Sequence, residues 1–340
     1  MASSVVIQTS FLGDTILTTP LLVQLAHRGP VDVVTTPAAA SVLTGHPAVR
    51  SVIVYDKHAA HAGLFGLTTM AGRLRAASYD VAYLAQGSLR SAALAFLARV
   101  PERIGFATSA GSWLYTTRVP YRDDLHHAAR LLLLSRPNGR EPTREETQPS
   151  LVPGSAERAL VDDLLRRAGV APDERLIALA PGSVWATKRW PYYTQLAQEL
   201  ADAGRLVVIG GRDDAPLAAE IRAAVPSAVD ATGALPLLGS AELIGRCAVI
   251  VTNDSSPLHL ASAMGTPTVA IFGPTVPEFG FGPLAASSVV VGHESLACRP
   301  CHRHGPRRCP LTHFRCMREL GAELVAERAR RLILTPDALA

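Results

Sequence analysis

The fold of this chain is decided by the stretch CAVIVTNDSSPLHLASAM, residues 247–264. Its apolar first part, Cys247 to Thr252, predicts a buried strand, and Leu258 to Met264 predicts a short helix. Pro257 suits the first turn of that helix and Gly265 suits its end. A strand, a polar loop and a helix in this order indicate a parallel α/β sheet.

The polar residues between this strand and this helix have two interpretations. Asp254, Ser255, Ser256 and His259 would lie at the carboxyl end of the strand, where free helix N–H groups also point. This arrangement suits a polar, phosphorylated ligand. Ser255 or Ser256 would equally serve as an ordinary N-cap. The stretch by itself leaves both interpretations open.

Outward from this stretch, short apolar strands alternate with helical patterns through both halves of the chain, which predicts two parallel sheets covered by helices. The segment from Arg136 to Ser155 has no periodic pattern of apolar residues, which predicts a linker. The predicted domains are therefore 1–150 and 151–320, followed by a basic amphipathic helix within 321–340. The predicted strands are Ser4 to Gln8, Val31 to Thr35, Val49 to Val54, Asp80 to Leu84, Leu176 to Ala180, Leu206 to Ile209, Val249 to Thr252 and Thr268 to Phe272.

The composition excludes several classes of protein. The 340 residues are 48% hydrophobic and 18% charged, which is typical of a globular chain. No apolar run approaches the ~18 residues of a membrane span, and no signal peptide is predicted, so we expect a cytoplasmic protein. A net charge of +4 without interleaved aromatic residues does not indicate nucleic-acid binding. The dinucleotide-binding, P-loop and nucleophile-elbow motifs are all missing from the sequence.

Two further loops follow predicted strands in the same way. Asp14 lies just after the first strand, where a carboxylate is a candidate general base, although it would also cap a helix. In the loop 181–191, Gly182 and Ser183 suit a phosphate, and Lys188 with Arg189 suits a diphosphate. The alternative for this loop is a pair of solvated cations. Because the carboxyl ends of parallel strands share one edge, we expect such loops of one sheet to converge.

Four of the five cysteines form a cluster with the spacing Cys298-x2-Cys301-x7-Cys309-x6-Cys316. This spacing makes them candidate ligands of a structural Zn or Fe ion, and free thiols are the alternative. Six arginines and three histidines accompany them between residues 298 and 318, with no acidic residue. The segment is therefore also a candidate for contact with an anion, the alternative being a solvated basic loop.

Three motifs, in the expected order, resemble those of the ADP-heptose:lipopolysaccharide heptosyltransferases, glycosyltransferase family 9. The Cys-rich tail resembles a subset of that family, most of all the heptosyltransferase II type. The motifs are Phe11 to Pro20, Pro181 to Pro191, and Thr252 to Ala261 followed by Gly265 to Pro267 and Phe272 to Thr275.

The resemblance implies a GT-B fold, in which two Rossmann-like domains with parallel sheets face each other across a cleft and the segment 321–340 returns to the first domain. It implies inverting transfer of heptose from ADP-heptose to the inner core of lipopolysaccharide, by peripheral contact with the cytoplasmic face of the inner membrane. No cofactor is required for this catalysis. Asp14 would be the catalytic base. The implied substrate-binding residues are Gly13, Thr15, Gly182, Ser183, Thr187, Lys188, Asp254, Ser255, Ser256 and His259.

One departure from the family pattern is Ser256, which stands where the family usually has glycine. A Cβ at this position would crowd a close approach of the backbone to phosphate. Two rival functions therefore remain: a related enzyme that uses another sugar or a protein acceptor, and a non-catalytic nucleotide-sugar binder. The simultaneous presence of Asp14, Lys188 and Asp254 argues against the binder.

Overall fold

The computed structural model describes residues 2–136 and 139–334. The chain divides into two compact units between Val152 and Pro153. Each unit is built on its own parallel sheet of six strands.

The first unit has the strand order β3-β2-β1-β4-β5-β6, and neighbouring strands are parallel. All five residues of its central strand β1 are buried, which requires helices on both faces of the sheet. The strands are β1 (Ser4–Gln8), β2 (Val31–Thr35), β3 (Ser51–Val54), β4 (Val81–Leu84), β5 (Glu102–Phe106) and β6 (Thr117–Val119). The helices are α1 (Leu12–Leu17), α2 (Thr19–Ala26), α3 (Pro37–Ala40), α4 (Gly63–Ala76), α5 (Leu89–Leu97) and α6 (His127–Leu133).

The second unit has the strand order β12-β11-β10-β7-β8-β9, again with parallel neighbours. Its strands are β7 (Leu176–Ala180), β8 (Arg205–Val208), β9 (Val229–Asp230), β10 (Cys247–Asn253), β11 (Thr268–Phe272) and β12 (Ser288–Gly292). Its helices are α7 (Ser155–Arg167), α8 (Tyr193–Leu200), α9 (Ala215–Ala224), α10 (Leu237–Gly245), α11 (Ser256–Met264), α12 (Arg315–Arg318) and α13 (Ala322–Leu334).

Both sheets are wound in the same way, and this confirms the predicted parallel α/β architecture. In each, the first strand of the unit is central, the next two extend the sheet to one side, and the fourth strand returns to the other side. The winding therefore reverses between β1 and β4 and again between β7 and β10. Doubly wound sheets bind ligands at the carboxyl ends of the strands that flank this switch point.

Most of the predicted linker packs against the first unit. The guanidinium of Arg136 lies 2.8 Å from the Glu146 carboxylate, and the Ser150 N–H donates to Thr19 Oγ1 at 3.0 Å. Residues 137–138 of the predicted linker lie outside the described residues. The polar composition of this segment thus reflects hydrogen bonds along a surface rather than a free connection.

The last described helix, α13, belongs to the second unit. Its buried residues Val325, Ala329 and Leu332 join the core that also contains Leu196 of α8. The apolar face of residues 322–334 is thus covered within the second unit, and the return of the terminal segment to the first domain stays a prediction. Residues 335–340 of the predicted segment lie outside the described part of the chain. No helix within the described ranges has the length and apolar character that crossing a bilayer requires.

Candidate active site

A buried ion pair marks the switch point of the second sheet. Asp254 follows β10, and its Oδ2 atom lies 2.6 Å from Nζ of Lys188. The same oxygen accepts a hydrogen bond from Thr275 Oγ1 at 2.7 Å. Only 11% of the Lys188 side chain and 10% of the Asp254 side chain are exposed. At this low exposure water screens the pair weakly, so the lysine provides a well-defined positive charge at the carboxyl edge of the sheet.

The side chain of Asn253 joins the two loops at this switch point. This residue is fully buried at the end of β10. Its Nδ2 donates to the carbonyl of Pro181 at 2.8 Å, and its Oδ1 accepts from the Trp190 N–H at 3.2 Å. Asn253 thereby holds both ends of the turn that carries Lys188, in agreement with the predicted convergence of the loops.

Neither hydroxyl of the loop after β7 is simply displayed to solvent. Ser183 is buried, and its Oγ accepts from the Trp185 N–H at 3.3 Å. Thr187 is also buried and donates its hydroxyl to the carbonyl of Pro306. Both hydroxyls therefore stabilise the turn: Thr187 uses its proton to do so, whereas Ser183 accepts and keeps its proton for donation.

The start of α11 confirms part of the capping prediction. Ser255 is the N-cap, Ser256 is the first helical residue, and Gly265 ends the helix at φ +70°. Ser255 does not cap with its hydroxyl, which instead lies 3.4 Å from the Asn253 carbonyl. His259 lies one turn into the helix and is buried, with its ring edge-on to Phe281 at 6.4 Å between ring centres.

Asp14 lies at the corresponding switch point of the first sheet. It belongs to α1, a short helix that the sequence did not predict, and it also fills the predicted capping role. Its Oδ2 atom accepts from Ser10 Oγ at 2.5 Å and from the Phe11 N–H at 3.3 Å. Its Oδ1 atom is directed toward Nε2 of His127 at 3.7 Å. With 17% of its side chain exposed, Asp14 keeps one carboxylate oxygen outside the capping contacts.

Two neighbours of Asp14, which belong to the implied binding set, lie in the same helix. Gly13 and Thr15 are both buried in α1. The Thr15 hydroxyl lies 3.4 Å from the Phe11 carbonyl and 3.5 Å from Thr35 Oγ1. Thr15 therefore helps to fix the helix against the sheet, and the substrate contacts implied for Gly13 and Thr15 stay predictions.

The profile of glycosyltransferase family 9 (heptosyltransferase) matches residues 67–311 of the chain. The chain belongs to glycosyltransferase family 9. This glycosyltransferase is 29% identical over 293 residues to lipooligosaccharide heptosyltransferase 2 of Haemophilus influenzae. The aligned region covers 81% of this chain and 84% of the relative.

Solved structures establish the GT-B fold of the glycosyltransferase. The Escherichia coli ADP-heptose lps heptosyltransferase II matches with a TM-score of 0.80 and 23% identity, over 99% of this chain and 100% of the other. The iron-containing dodecameric glycosyltransferase TibC of enterotoxigenic E. coli matches with a TM-score of 0.58 and 15% identity, over 98% and 76% of the two chains.

The four clustered cysteines of the glycosyltransferase are neighbours in the second unit. Cys301 turns its thiol toward the Cys298 carbonyl at 3.0 Å, and Cys298 Sγ lies 3.9 Å from His313 Nε2. Burial, reinforced by the neighbouring Cys301 and Cys309 thiols, raises the pKa of the Cys316 thiol to about 11. Among residues 2–136 and 139–334, no group of three or more His, Cys, Asp or Glu side chains is placed to hold a metal ion. None of the four is disulfide-bonded, and the assignment of Cys298, Cys301, Cys309 and Cys316 as zinc or iron ligands stays a prediction.

The Cys-rich segment also packs around the Lys188–Asp254 ion pair. A Cβ on Gly305 would meet the Lys188 side chain at 3.2 Å, so this glycine lies directly against the lysine. Arg299 donates to the carbonyls of Phe272 and Thr275 at 3.1 Å each. Arg299 belongs to the segment predicted to contact an anion. In the structure it stabilises the turn that carries Thr275.

Replacing Gly182 with Ala is expected to destabilise the second unit by about 0.5–2 kcal/mol, the usual cost of a lost cap, because the Asp214 carboxylate that accepts from the Gly211 N–H would have to move. A Cβ on Gly182 would lie 2.3 Å from the Asp214 carboxylate, whereas a Cβ on Gly211 would come no closer than 3.9 Å. Gly211→Ala, in the loop that holds Asp214, is the matched control. Urea unfolding of the three proteins measures the difference, and equal midpoints for Gly182→Ala and wild type would contradict it.

Proposed function

We propose that this glycosyltransferase transfers heptose from ADP-heptose to the inner core of lipopolysaccharide. The observation that carries the proposal is the buried Lys188–Asp254 pair at the switch point of the second sheet, where doubly wound folds bind nucleotides. The names of the H. influenzae relative and of the E. coli structure support the choice of donor and acceptor.

The proposed reaction is a single inverting displacement. The oxygen of the acceptor hydroxyl forms a bond to the anomeric carbon of the donor, and Asp14 accepts the proton of that hydroxyl. The bond between that carbon and the diphosphate oxygen breaks, and its electron pair leaves with ADP. Because attack and departure occur on opposite faces, the configuration at the anomeric carbon inverts. The 17% exposure of the Asp14 side chain supports this role, since a base must meet its substrate.

Stabilisation of the leaving ADP is assigned to the second unit. Lys188 supplies a positive charge, and the first N–H groups of α11 supply hydrogen-bond donors for the diphosphate. Asp254 holds the lysine in place before the donor arrives, and Thr275 in turn holds the Asp254 carboxylate. With these groups neutralising the diphosphate, the transfer requires no metal cofactor in this proposal.

The test is acceptor-dependent release of ADP. Purified protein is mixed with ADP-heptose and a heptose-terminated inner-core acceptor, with and without EDTA, and the product is weighed by mass spectrometry. We expect a mass gain of one heptose and equal rates with the chelator. Turnover only with another sugar nucleotide, or only with a protein acceptor, would instead identify a related enzyme. Tight ADP-heptose binding without any turnover would indicate the non-catalytic binder.

We further propose that the protein works at the cytoplasmic face of the inner membrane, where a lipid-anchored acceptor would be found. Support comes from two large apolar side chains at the start of α4. Leu64 is 80% exposed and Phe65 is 85% exposed, although apolar side chains of this size are usually buried. Burying each in a lipid interface would contribute about 1.5–3 kcal/mol.

The variant Leu64→Ser/Phe65→Ser is therefore expected to bind vesicles more weakly than wild type. Co-sedimentation with vesicles of inner-membrane lipid composition measures the bound fraction. The control is Leu160→Ser, which changes a 47% exposed leucine on α7 of the second unit. Equal sedimentation of the double variant, the control and the wild type would remove this pair from membrane contact.

A further inference from the structure

Helix α6 presents two consecutive histidines at its start, and they have different roles. His126 is the N-cap, and its side chain accepts the Ala128 N–H at 3.2 Å. His127 is the first helical residue. One turn on, the fully buried Arg130 donates to the carbonyls of Arg122 at 2.6 Å and Asp123 at 2.7 Å. These contacts fix the beginning of the helix and therefore the position of the His127 ring.

The His127 ring faces the oxygen of Asp14 that the capping contacts leave available. Nε2 of His127 lies 3.7 Å from Oδ1 of Asp14, while Ser10 and Phe11 occupy Oδ2. The separation is slightly too long for a hydrogen bond. Contacts of catalytic groups are often long before substrate binds and shorten in the complex. Only 12% of the His127 side chain is exposed, which favours a strong interaction with the carboxylate.

The orientation of the ring decides which of the two residues is able to accept a proton from substrate. In a serine–histidine–aspartate triad, one ring nitrogen meets the aspartate and the other takes the proton. Here Nε2 meets Asp14, and Nδ1 is buried away from solvent. His127 thus has no second nitrogen that an acceptor hydroxyl is able to reach, so it acts only through Asp14.

We propose that His127 is a positioning residue for Asp14. Its Nε2–H donates to Oδ1 when the acceptor binds, and this contact holds the second lone pair of Oδ1 toward the acceptor hydroxyl. The acceptor proton moves to Asp14, and His127 neither gains nor loses a proton in the step. The inference rests on the proposed function, because it requires Asp14 to be the base.

The test compares two replacements of similar size. His127→Gln keeps an N–H donor near the position of Nε2, whereas His127→Leu fills the space without one. We expect His127→Leu to lower kcat on the order of 10²-fold, the scale of a misplaced catalytic group, with the KM for ADP-heptose unchanged. His127→Gln is expected to recover most of that loss. His58→Leu, which changes an exposed histidine of the same unit in the same way, serves as the control, with kcat retained.

The outcomes separate this inference from the proposed function. If His127→Gln and His127→Leu lose kcat equally while both remain folded by circular dichroism, the ring has only a packing role and the inference is overturned. Wild-type kcat in His127→Leu would overturn it as well. If Asp14→Asn keeps wild-type turnover, the base assignment itself fails; an inactive Asp14→Asn beside a fully active His127→Leu leaves the base in place and removes only the histidine.

Discussion

Asp14→Asn is expected to abolish detectable heptose transfer while ADP-heptose binding stays close to that of wild type. A positioned general base contributes about 10²–10⁴-fold to a rate. The amide oxygen of Asn is able to replace Oδ2 in accepting from Ser10 and the Phe11 N–H, so α1 should persist. The donor contacts assigned to the second unit are unchanged by the substitution. Acceptor-dependent ADP release measures the first effect, and calorimetric titration with ADP-heptose measures the second.

The matched control for this prediction is Asp56→Asn. Asp56 also follows a strand of the first sheet and also accepts backbone N–H groups, those of His58 at 3.2 Å and Ala59 at 3.0 Å. A general cost of losing a capping carboxylate would appear in both variants. Loss of turnover in Asp14→Asn alone would identify a chemical role, whereas unchanged turnover would remove Asp14 from the position of base.

Lys188→Ala is expected to weaken ADP binding by about 10- to 100-fold, because a hydrogen bond to a charged group contributes about 1.5–3 kcal/mol. The substitution also leaves the Asp254 carboxylate, only 10% exposed, without its cation. Removing one partner of a fully buried pair costs about 3–5 kcal/mol of stability. We therefore expect a lower urea midpoint together with the weaker binding, and a titration well below that midpoint keeps the two effects apart.

Arg189→Ala provides the control for Lys188→Ala. Arg189 is the next residue, carries the same charge and is exposed, with its Nε donating to the Ser183 carbonyl at 2.8 Å. If the two variants lose ADP affinity equally, the loop contributes only general positive charge. If Lys188→Ala binds ADP as tightly as wild type, the diphosphate has been assigned to the wrong place.

The sheets were the most predictable part of this protein. Their strands are short apolar runs that end in polar loops, and all eight predicted strands are present with ends shifted by two residues or fewer. Helix α1 was missed because Thr18 is at once the C-cap of α1 and the N-cap of α2. The sequence signal at Thr18 and Pro20 marks the start of the second helix and gives no sign of a six-residue helix just before it.

The convergence of the site's loops was predicted, but the individual contacts between residues distant in sequence were not. The cluster at Asp254 was evident from the strand and helix around it, but its partners are distant: Thr275 is 21 residues away and Lys188 is 66. Asn253 was recognisable as a polar residue at the end of an apolar strand, although its bond to Pro181, 72 residues earlier, was not. Local patterns do not specify such contacts, which the pairing of β10 with β7 and with β11 brings about.

The two sheets are wound in the same way, but each is packed by its own core. Each unit has its own reversal of strand order and its own buried apolar cluster. Under the proposed roles, Asp14 and Lys188 therefore depend on different cores, so a substitution that loosens the packing around one leaves the core around the other intact.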